Sequence, residues 1–337
     1  MSAISESIGE TTGGEFFETN ESLKKDSLES KTFSISVSIF NYFFPKHPYT
    51  NHREFRFIPN IIEEFIGALS LDEHIDQRDN INEGQDYELC QKIFLDLKNQ
   101  SKRKEVYHTA SIKNTARENA YSIPGGYMIL NRGLLDKIDH FLSHKNEMGL
   151  NGYVDPETGR TFSYENVTKK DIVAALIGHE MIHAELSHSM KKLEQQIIYS
   201  LSYPVGLLFC AIKLGSFMGV LASIGSTIVL AGAVDLLAIH YFNKLSKAHE
   251  YEADRLGVLN AVKAGYHSHG AFFLQAVLHD AHIVNDDDYN WITQAVLGVI
   301  KFFTGDTHPT YEERQKAYVA FIEKHQLLAD SKPTTLL

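Results

Sequence analysis

Residues 178–190 read GHEMIHAELSHSM, and they contain the pattern HExxH. If this stretch is helical, His179 and His183 lie one turn apart on the same face, so both imidazoles can bind one Zn²⁺. Glu180 would lie about 100° further around the helix, from where it can take a proton from a zinc-bound water without being a ligand. Five-residue patterns also arise by chance on charged helix faces, so a third ligand is needed to establish a metal site.

His188 is the nearest further histidine, but its spacing argues against a place on the metal. It follows His179 by nine residues, which would put it on nearly the opposite face of a continuous helix. A related motif, HExxHxxGxxH, brings a third histidine back by breaking the helix at a glycine, and that position here holds Leu186. We therefore expect His188 at the surface or beside a ligand, and the third ligand elsewhere.

Residues 247–261, KAHEYEADRLGVLNA, supply the missing carboxylate. Glu250 and Asp254 are one helical turn apart, so one can bind zinc while the other accepts a hydrogen bond from the N–H of a ligating histidine. Ala253 and Gly257 are small enough to let two helices approach closely. This segment is therefore predicted to cross the helix that carries the HExxH pattern.

Two histidines and one glutamate with an open fourth position are typical of catalytic rather than structural zinc sites. We predict one Zn²⁺ per chain, bound by His179, His183 and Glu250. Glu180 is then the expected general base, and Glu252 is expected to face another side of its helix.

The composition is that of an ordinary globular protein, and it limits the partners. The chain has 337 residues and a formal net charge of −11 at pH 7, so we expect no binding to nucleic acid. Neither Cys90 nor Cys210 has a CxxC partner. This excludes a cysteine-based zinc site and predicts two reduced thiols.

The first 31 residues are polar, acidic and rich in Ser, Thr and Gly, and we expect residues 1–31 to be disordered. They lack the apolar core of a secretory signal and the arginines of a transit peptide, so we expect the protein to act in the cytoplasmic compartment of synthesis. The predicted organisation continues with an accessory region over 32–85, a zinc-binding domain over 86–325 and a C-terminal tail over 326–337.

Local patterns predict a mainly α-helical fold with a small β-sheet, which is the α+β class. Apolar residues recur at helical spacing over 86–100. Strand-like runs occur at 105–112 and 127–130, and Pro124-Gly125-Gly126 predicts a turn before the second run.

The helix that carries the histidines is expected to be long. Thr168 followed by Asp171 resembles a capping box, and the apolar spacing after it predicts one helix from Thr168 to about Gln195. The preceding residues, 139–168, are interpreted as a polar insertion that shapes or covers the cleft.

Residues 197–240 are strongly apolar, and residues 214–234 carry no charge over 21 positions, which is enough to span a bilayer. A single span would place His183 and Glu250 on opposite sides of the membrane, although both must meet one zinc ion. Two alternatives remain open. The segment forms either two spans with a turn near 215–219, or an apolar helical hairpin that lies on the protein or contacts a membrane surface.

Four segments, in this order, resemble the gluzincin metallopeptidases related to the HtpX heat-shock protease, the CAAX prenyl protease and the mitochondrial inner-membrane overlapping-activity protease. They are NAYSIPGGYMILNRGLL (119–135), GHEMIHAELSHS (178–189), HEYEADRLG (249–257) with AGY (264–266), and THPTYEER (307–314). The resemblance covers about residues 86–325. It implies a zinc metallopeptidase domain with the HExxH helix at its active site and the hairpin 197–240 as an insertion.

The resemblance implies the same zinc ligands and base, with Asp254 as the carboxylate that supports a ligand. It gives catalytic-site roles to His308 and Arg314, which would steady an oxyanion or gate the cleft. It also implies a strand whose exposed edge aligns the substrate by main-chain hydrogen bonds. The matching substrate-binding residues are Asn119, Ala120, Gly125, Gly126 and Tyr127.

The expected activity is that of a zinc-dependent metalloendopeptidase, which hydrolyses peptide bonds of polypeptide substrates by metal-activated water with a glutamate general base. An alternative of another class is a catalytically weak zinc-fold module with a binding or chaperone-like role in protein quality control. A protease of prenylated peptides would need a large multi-span chamber, and the sequence contains one apolar hairpin.

Overall fold

The protein is a mainly helical α+β structure, as predicted. The computed structural model describes residues 40–41, 43–56, 58, 62–68, 79–106, 109–218, 220–284, 308–325 and 327. The segment predicted to be disordered, 1–31, lies outside the described residues, as does all of the predicted tail except Leu327.

The chain divides into two compact units, Met1–Pro59 and Asn60–Leu337. In the first unit, Lys46 and Arg53 form an isolated antiparallel bridge, and the Arg53 guanidinium donates to the carbonyl oxygen of Phe44 at 2.5 Å. The predicted domain boundaries stay a prediction.

The second unit contains the helices and strands that position the site. Its strands are β1 (Asn80–Ile81), β2 (Thr109–Lys113), β3 (Ala120–Ile123), β4 (Tyr127–Asn131), β5 (Gly152–Val154) and β6 (Thr161–Ser163). Its helices with assigned bounds are α1 (Gln85–Gln100), α2 (Arg132–His144), α3 (Lys169–Glu185), α4 (His188–Met218), α5 (Val220–Lys263), α6 (His269–Val284) and α7 (Tyr311–Lys324). Residues 62–68 are also helical, and Lys104–Val106 form a 3₁₀ turn.

The larger sheet has the strand order β1-β2-β4-β3, so β3 is an edge strand among the described residues. Strand β4 pairs in parallel with β2 and antiparallel with β3. The turn between β3 and β4 is the predicted one, and Gly125 and Gly126 adopt φ of 81° and 80° there, a region that favours glycine. Helix α3 packs beside β3, which brings this strand next to the HExxH residues.

Helix α3 begins as predicted but ends earlier than predicted. Thr168 and Asp171 form the capping box, and the Thr168 amide donates to the Asp171 carboxylate at 2.9 Å. The expected continuous helix to about Gln195 is wrong, because α3 ends at Glu185 and α4 begins at His188. Ser187 lies between them with φ of 53°, and its hydroxyl donates to Glu63 at 2.7 Å.

The interpretation of 139–168 as a polar insertion also needs correction. Helix α2 extends into it, and the strands β5 and β6 form an antiparallel hairpin. Phe162 and Tyr164 of this segment are each 1% exposed, and the Phe162 ring stacks on Phe272 of α6 at 4.7 Å between centroids. The segment therefore contributes two aromatic residues to the core, which its polar turn residues did not indicate.

Helices α4 and α5 pack together as a helical hairpin. Tyr199 and Tyr203 of α4 donate their hydroxyl groups to Asp235 of α5, the second at 3.0 Å. Within the described residues, two helical stretches are long and apolar enough to cross a membrane by length and composition, His188–Lys213 and Ser226–Lys263. Many apolar side chains of this hairpin are exposed, among them Val229 at 74% and Leu237 at 70%.

Candidate metal centre

Two glycines allow helices α3 and α5 to cross with their backbones in contact. A Cβ atom on Gly178 would lie 2.8 Å from the carbonyl oxygen of Gly257, and a Cβ atom on Gly257 would lie 2.7 Å from the amide nitrogen of His179. Ala253, one turn earlier in α5, is fully buried. The predicted close approach is present, and it places the carboxylates of α5 against the histidines of α3.

His179, His183 and Glu250 come together at this crossing, each with a ligand atom within 4.8 Å of the others. The two Nε2 atoms of the histidines are 3.0 Å apart. Each Nε2 atom lies 3.5 Å from an oxygen of Glu250. All three side chains are largely buried, at 12–14% exposure.

These separations fit a tetrahedral zinc ion. Two ligand atoms at zinc–nitrogen or zinc–oxygen bonding distance in a tetrahedral site lie about 3.3 Å from each other. The observed separations of 3.0 and 3.5 Å lie on either side of that value. Two imidazoles and one carboxylate are also a donor set that zinc accepts, with one position left for water or substrate.

Asp254 orients the first histidine from behind. Its carboxylate lies 2.9 Å from Nδ1 of His179, so the ring donates there and keeps the lone pair of Nε2 for a metal. The carboxylate is only 1% exposed, and it also accepts hydrogen bonds from Arg314 Nε at 2.7 Å and from the Tyr318 hydroxyl at 2.8 Å. Helix α7 therefore fixes the carboxylate that fixes His179.

The charges around the triad favour a bound cation. Burial would raise the pKa of Asp254, but the Arg314 guanidinium outweighs burial and lowers this pKa to about 2. Burial would lower the pKa of His179, but hydrogen bonds with Asp254 and Glu250 raise it to about 10. Two buried carboxylates thus create a negative potential at His179, and a divalent cation would be stabilised by the same potential.

His183 has a different environment. Burial, together with the proximity of His179 and His188, lowers the pKa of His183 well below its ordinary value. This favours the neutral imidazole, which is the form that binds metal.

Glu180 lies on the cavity beside the triad, half-buried. Burial raises the pKa of Glu180 to about 7, while the neighbouring His179 and hydrogen bonds from Ser122 limit the rise. A carboxylate with a pKa near neutrality is well suited to accept and return a proton.

His188 lies beside a ligand, which is one of the two positions expected for it. It is 3% exposed, and its Nδ1 atom lies 3.0 Å from Nδ1 of His183. Its Nε2 atom lies 3.3 Å from Glu252, a contact that the position of Glu252 on its own helix did not predict. The helix break at Ser187 turns His188 back toward α3. The sequence did not indicate this break, because no glycine marks it.

A cavity of about 530 Å³ opens beside the triad. Of the predicted substrate-binding residues, Asn119 and Ala120 line it, together with Tyr121 and Ser122 of the edge strand β3. The other three, Gly125, Gly126 and Tyr127, are not among its lining residues. They form the turn and the start of β4, which lies between β2 and β3.

Both predicted C-terminal residues line the same cavity. His308 is 62% exposed, and its Nδ1 atom lies 3.7 Å from an oxygen of Glu250. The Arg314 guanidinium forms a two-pronged contact with Asp254. The predicted role of these two residues in steadying an oxyanion or gating the cleft stays a prediction.

A comparison with known families gives an independent result. The model of Peptidase family M48 matches residues 87–320, which is more than half of the 337 residues. No curated protein matches the chain. The matched range contains the triad, Glu180, and the outer residues Asp254 and Arg314.

Proposed function

Because this chain belongs to peptidase family M48, whose members are zinc metallopeptidases, we propose that it hydrolyses internal peptide bonds of protein substrates. Its core would be of the gluzincin type, with one Zn²⁺ per chain held by His179, His183 and Glu250. The observation that carries this proposal is the approach of these three side chains, from two separate helices, to distances that suit one tetrahedral ion.

The chemistry is divided between the metal and the chain. When bound, zinc supplies a Lewis acid that polarises the scissile carbonyl and makes water more acidic. Glu180, half-buried on the cavity beside the triad, would accept the proton of the attacking water and return it to the leaving amine. Asp254, held by Arg314 and Tyr318, keeps His179 in the tautomer that binds metal.

The edge strand β3 is the proposed site for the substrate backbone. An extended peptide can add to the edge strand of a sheet by main-chain hydrogen bonds, and Ala120, Tyr121 and Ser122 of β3 line the cavity of the triad. Such pairing would carry the scissile carbonyl past Glu180, which hydrogen-bonds with Ser122. This mode holds a chain by its middle, and it favours an endopeptidase over an exopeptidase.

Substitution of the general base tests the proposal. Glu180→Gln should lower casein cleavage at least about a hundredfold, with bound zinc still near one equivalent by metal analysis. Glu147→Gln is the matched control, because Glu147 is an exposed residue that does not line the cavity. Retained cleavage in Glu180→Gln would contradict the assignment of the base.

Membership of a peptidase family favours the enzyme over the chaperone-like alternative. Glu180→Gln distinguishes the two alternatives. In a binding module this substitution would leave the activity unchanged, whereas in a peptidase it would abolish product formation while the substrate stays bound.

We also propose that the hairpin of α4 and α5 contacts a lipid membrane. Many of its apolar side chains are exposed, among them Val229 and Leu237. The Asp235 carboxylate in the same stretch accepts hydrogen bonds from the hydroxyls of Tyr199 and Tyr203. Burial of such apolar side chains in lipid is favourable by the hydrophobic effect.

Liposome flotation tests the membrane proposal. The double variant Val229→Ser/Leu237→Ser should float several-fold less than the wild type. Leu95→Ser is the matched control, because Leu95 is also an exposed apolar helical residue (56%) but lies in α1. Equal flotation of all three proteins, or of none, would contradict the proposed lipid contact, and carbonate extraction would separate spans from surface contact.

A further inference from the structure

His183, the second proposed zinc ligand, has its own series of hydrogen-bonded side chains behind it. This inference rests on the proposed zinc site. Nδ1 of His183 faces Nδ1 of His188 at 3.0 Å. Two ring nitrogens at that distance form a hydrogen bond only if one carries the proton and the other offers a lone pair. The position of each proton can therefore be derived.

If Nε2 of His183 binds zinc, its proton must sit on Nδ1, and that N–H donates to His188. Nδ1 of His188 is then an acceptor, so the proton of His188 sits on Nε2. This atom lies 3.3 Å from the Glu252 carboxylate, which accepts. Every polar atom along the line from His183 to Glu252 has a partner of the correct kind.

We propose that His188 and Glu252 are positioning residues for zinc binding, which hold His183 in the ligating tautomer and orientation. Neither residue touches the metal or the substrate in this arrangement. They do for His183 what Asp254 does for His179, but through an intervening imidazole rather than by direct contact.

Packing and backbone fix the His188 ring in this place. Its face stacks on His249 at 4.2 Å between centroids, with an interplanar angle of 8°. The left-handed Ser187 directs the chain so that α4 starts at His188, and the buried hydrogen bond of Ser187 with Glu63 holds that turn. The helix break therefore positions His188 beside His183, since a continuous helix would have placed His188 away from the site.

Three variants at two positions separate hydrogen bonding from ring packing. His188→Phe keeps an aromatic ring against His249 but removes the acceptor for His183. His188→Asn loses the ring but places an oxygen near the position of Nδ1, so it can accept the same hydrogen bond. His249→Phe is the matched control, since it keeps the stacked ring, and the hydrogen bonds of His188 run to His183 and Glu252.

The readout is the zinc dissociation constant of the full chain, measured by chelator competition, with thermal unfolding of the zinc-free protein as the folding check. His188→Phe should weaken zinc binding about tenfold to a hundredfold, as for other outer partners of metal ligands. His188→Asn should recover most of that loss, and His249→Phe should stay within about twofold of wild type. The visible spectrum of the Co²⁺-loaded protein should shift in His188→Phe and not in His249→Phe.

The contrary outcomes are distinct. Unchanged zinc affinity in His188→Phe, or equal losses in the Phe and Asn variants, would overturn the positioning role alone. If His188→Phe does not fold, Glu252→Leu decides in the same way, with weakened affinity expected and wild-type affinity contradicting the proposal. A wild-type chain that binds no stoichiometric zinc would overturn the proposed function together with this inference.

Discussion

Helix α5 has two halves with opposite surroundings. The first half exposes Val229 and Leu237, at 74% and 70%, to the exterior of the protein. In the second half, Ala253 and Asp254 are buried, with at most 1% of either residue exposed. The difference shows that burial along one continuous helix depends on what crosses it, because α3 covers only the second half.

The buried half also shows how charge is accommodated. Asp254 is fully enclosed and contacts His179, Arg314 and Tyr318, so a costly buried carboxylate is stabilised by an ion pair and hydrogen bonds. In the exposed half, Asp235 has only two tyrosine hydroxyls among its described hydrogen bonds. Substitutions in the two halves should therefore have very different effects on the zinc site.

Loss of the carboxylate ligand should have the largest effect. Glu250→Ala removes one of three protein ligands from the buried half, so both bound zinc and peptide cleavage should fall to background. Metal analysis after gel filtration and a casein assay measure the two quantities. Zinc content equal to that of the wild type would show that Glu250 is not the third ligand.

Asp254→Asn should have the next largest effect. The amide oxygen can still accept from His179, but the charge opposite Arg314 is lost. Removal of one partner of a buried ion pair typically costs about 3–5 kcal/mol of unfolding free energy, and the weaker orientation of His179 should lower zinc affinity about tenfold or more. Urea unfolding of the zinc-free protein and chelator competition measure these effects, and wild-type values for both would contradict the role of Asp254.

A pair of glycine substitutions sharpens the comparison within one helix. Gly257→Ala places a methyl group against the backbone of α3, so the unfolding free energy should fall by about 1–3 kcal/mol, with weaker zinc binding. Gly232→Ala lies in the exposed half, where a Cβ atom would meet nothing within 4 Å.

The same substitution at position 232 should therefore leave zinc binding unchanged and raise stability by up to about 1 kcal/mol, because alanine favours a helix over glycine. Equal effects at positions 232 and 257 would mean that the close crossing of α3 and α5 does not hold the site together.

The sequence predicted the parts of the site that follow from helical spacing. His179, His183, Glu250 and Asp254 each lie one turn from a partner, and the small residue Gly257 indicated the crossing. Since helical geometry is regular, residues on one face can be identified without coordinates.

The features that the sequence did not predict depend on irregular backbone and long-range packing. Ser187 adopts a left-handed conformation that glycine usually marks, so the end of α3 had no visible signal. Without that break, the sequence could place His188 only at the surface or beside a ligand. Phe162 and Tyr164 lie between polar turn residues, and their burial depends on α6, more than a hundred residues later in the chain. The direction of Glu252 was predicted from its position on α5 alone, whereas its partner His188 lies on α4.

Anomalous diffraction at the zinc absorption edge, from crystals of the full chain, would locate the metal itself. We expect one strong peak at the crossing of α3 and α5, about 2.0–2.2 Å from Nε2 of His179, Nε2 of His183 and a carboxylate oxygen of Glu250. A peak elsewhere, or a zinc ion at the two histidines of α3 with Glu250 out of bonding distance, would rule out this site.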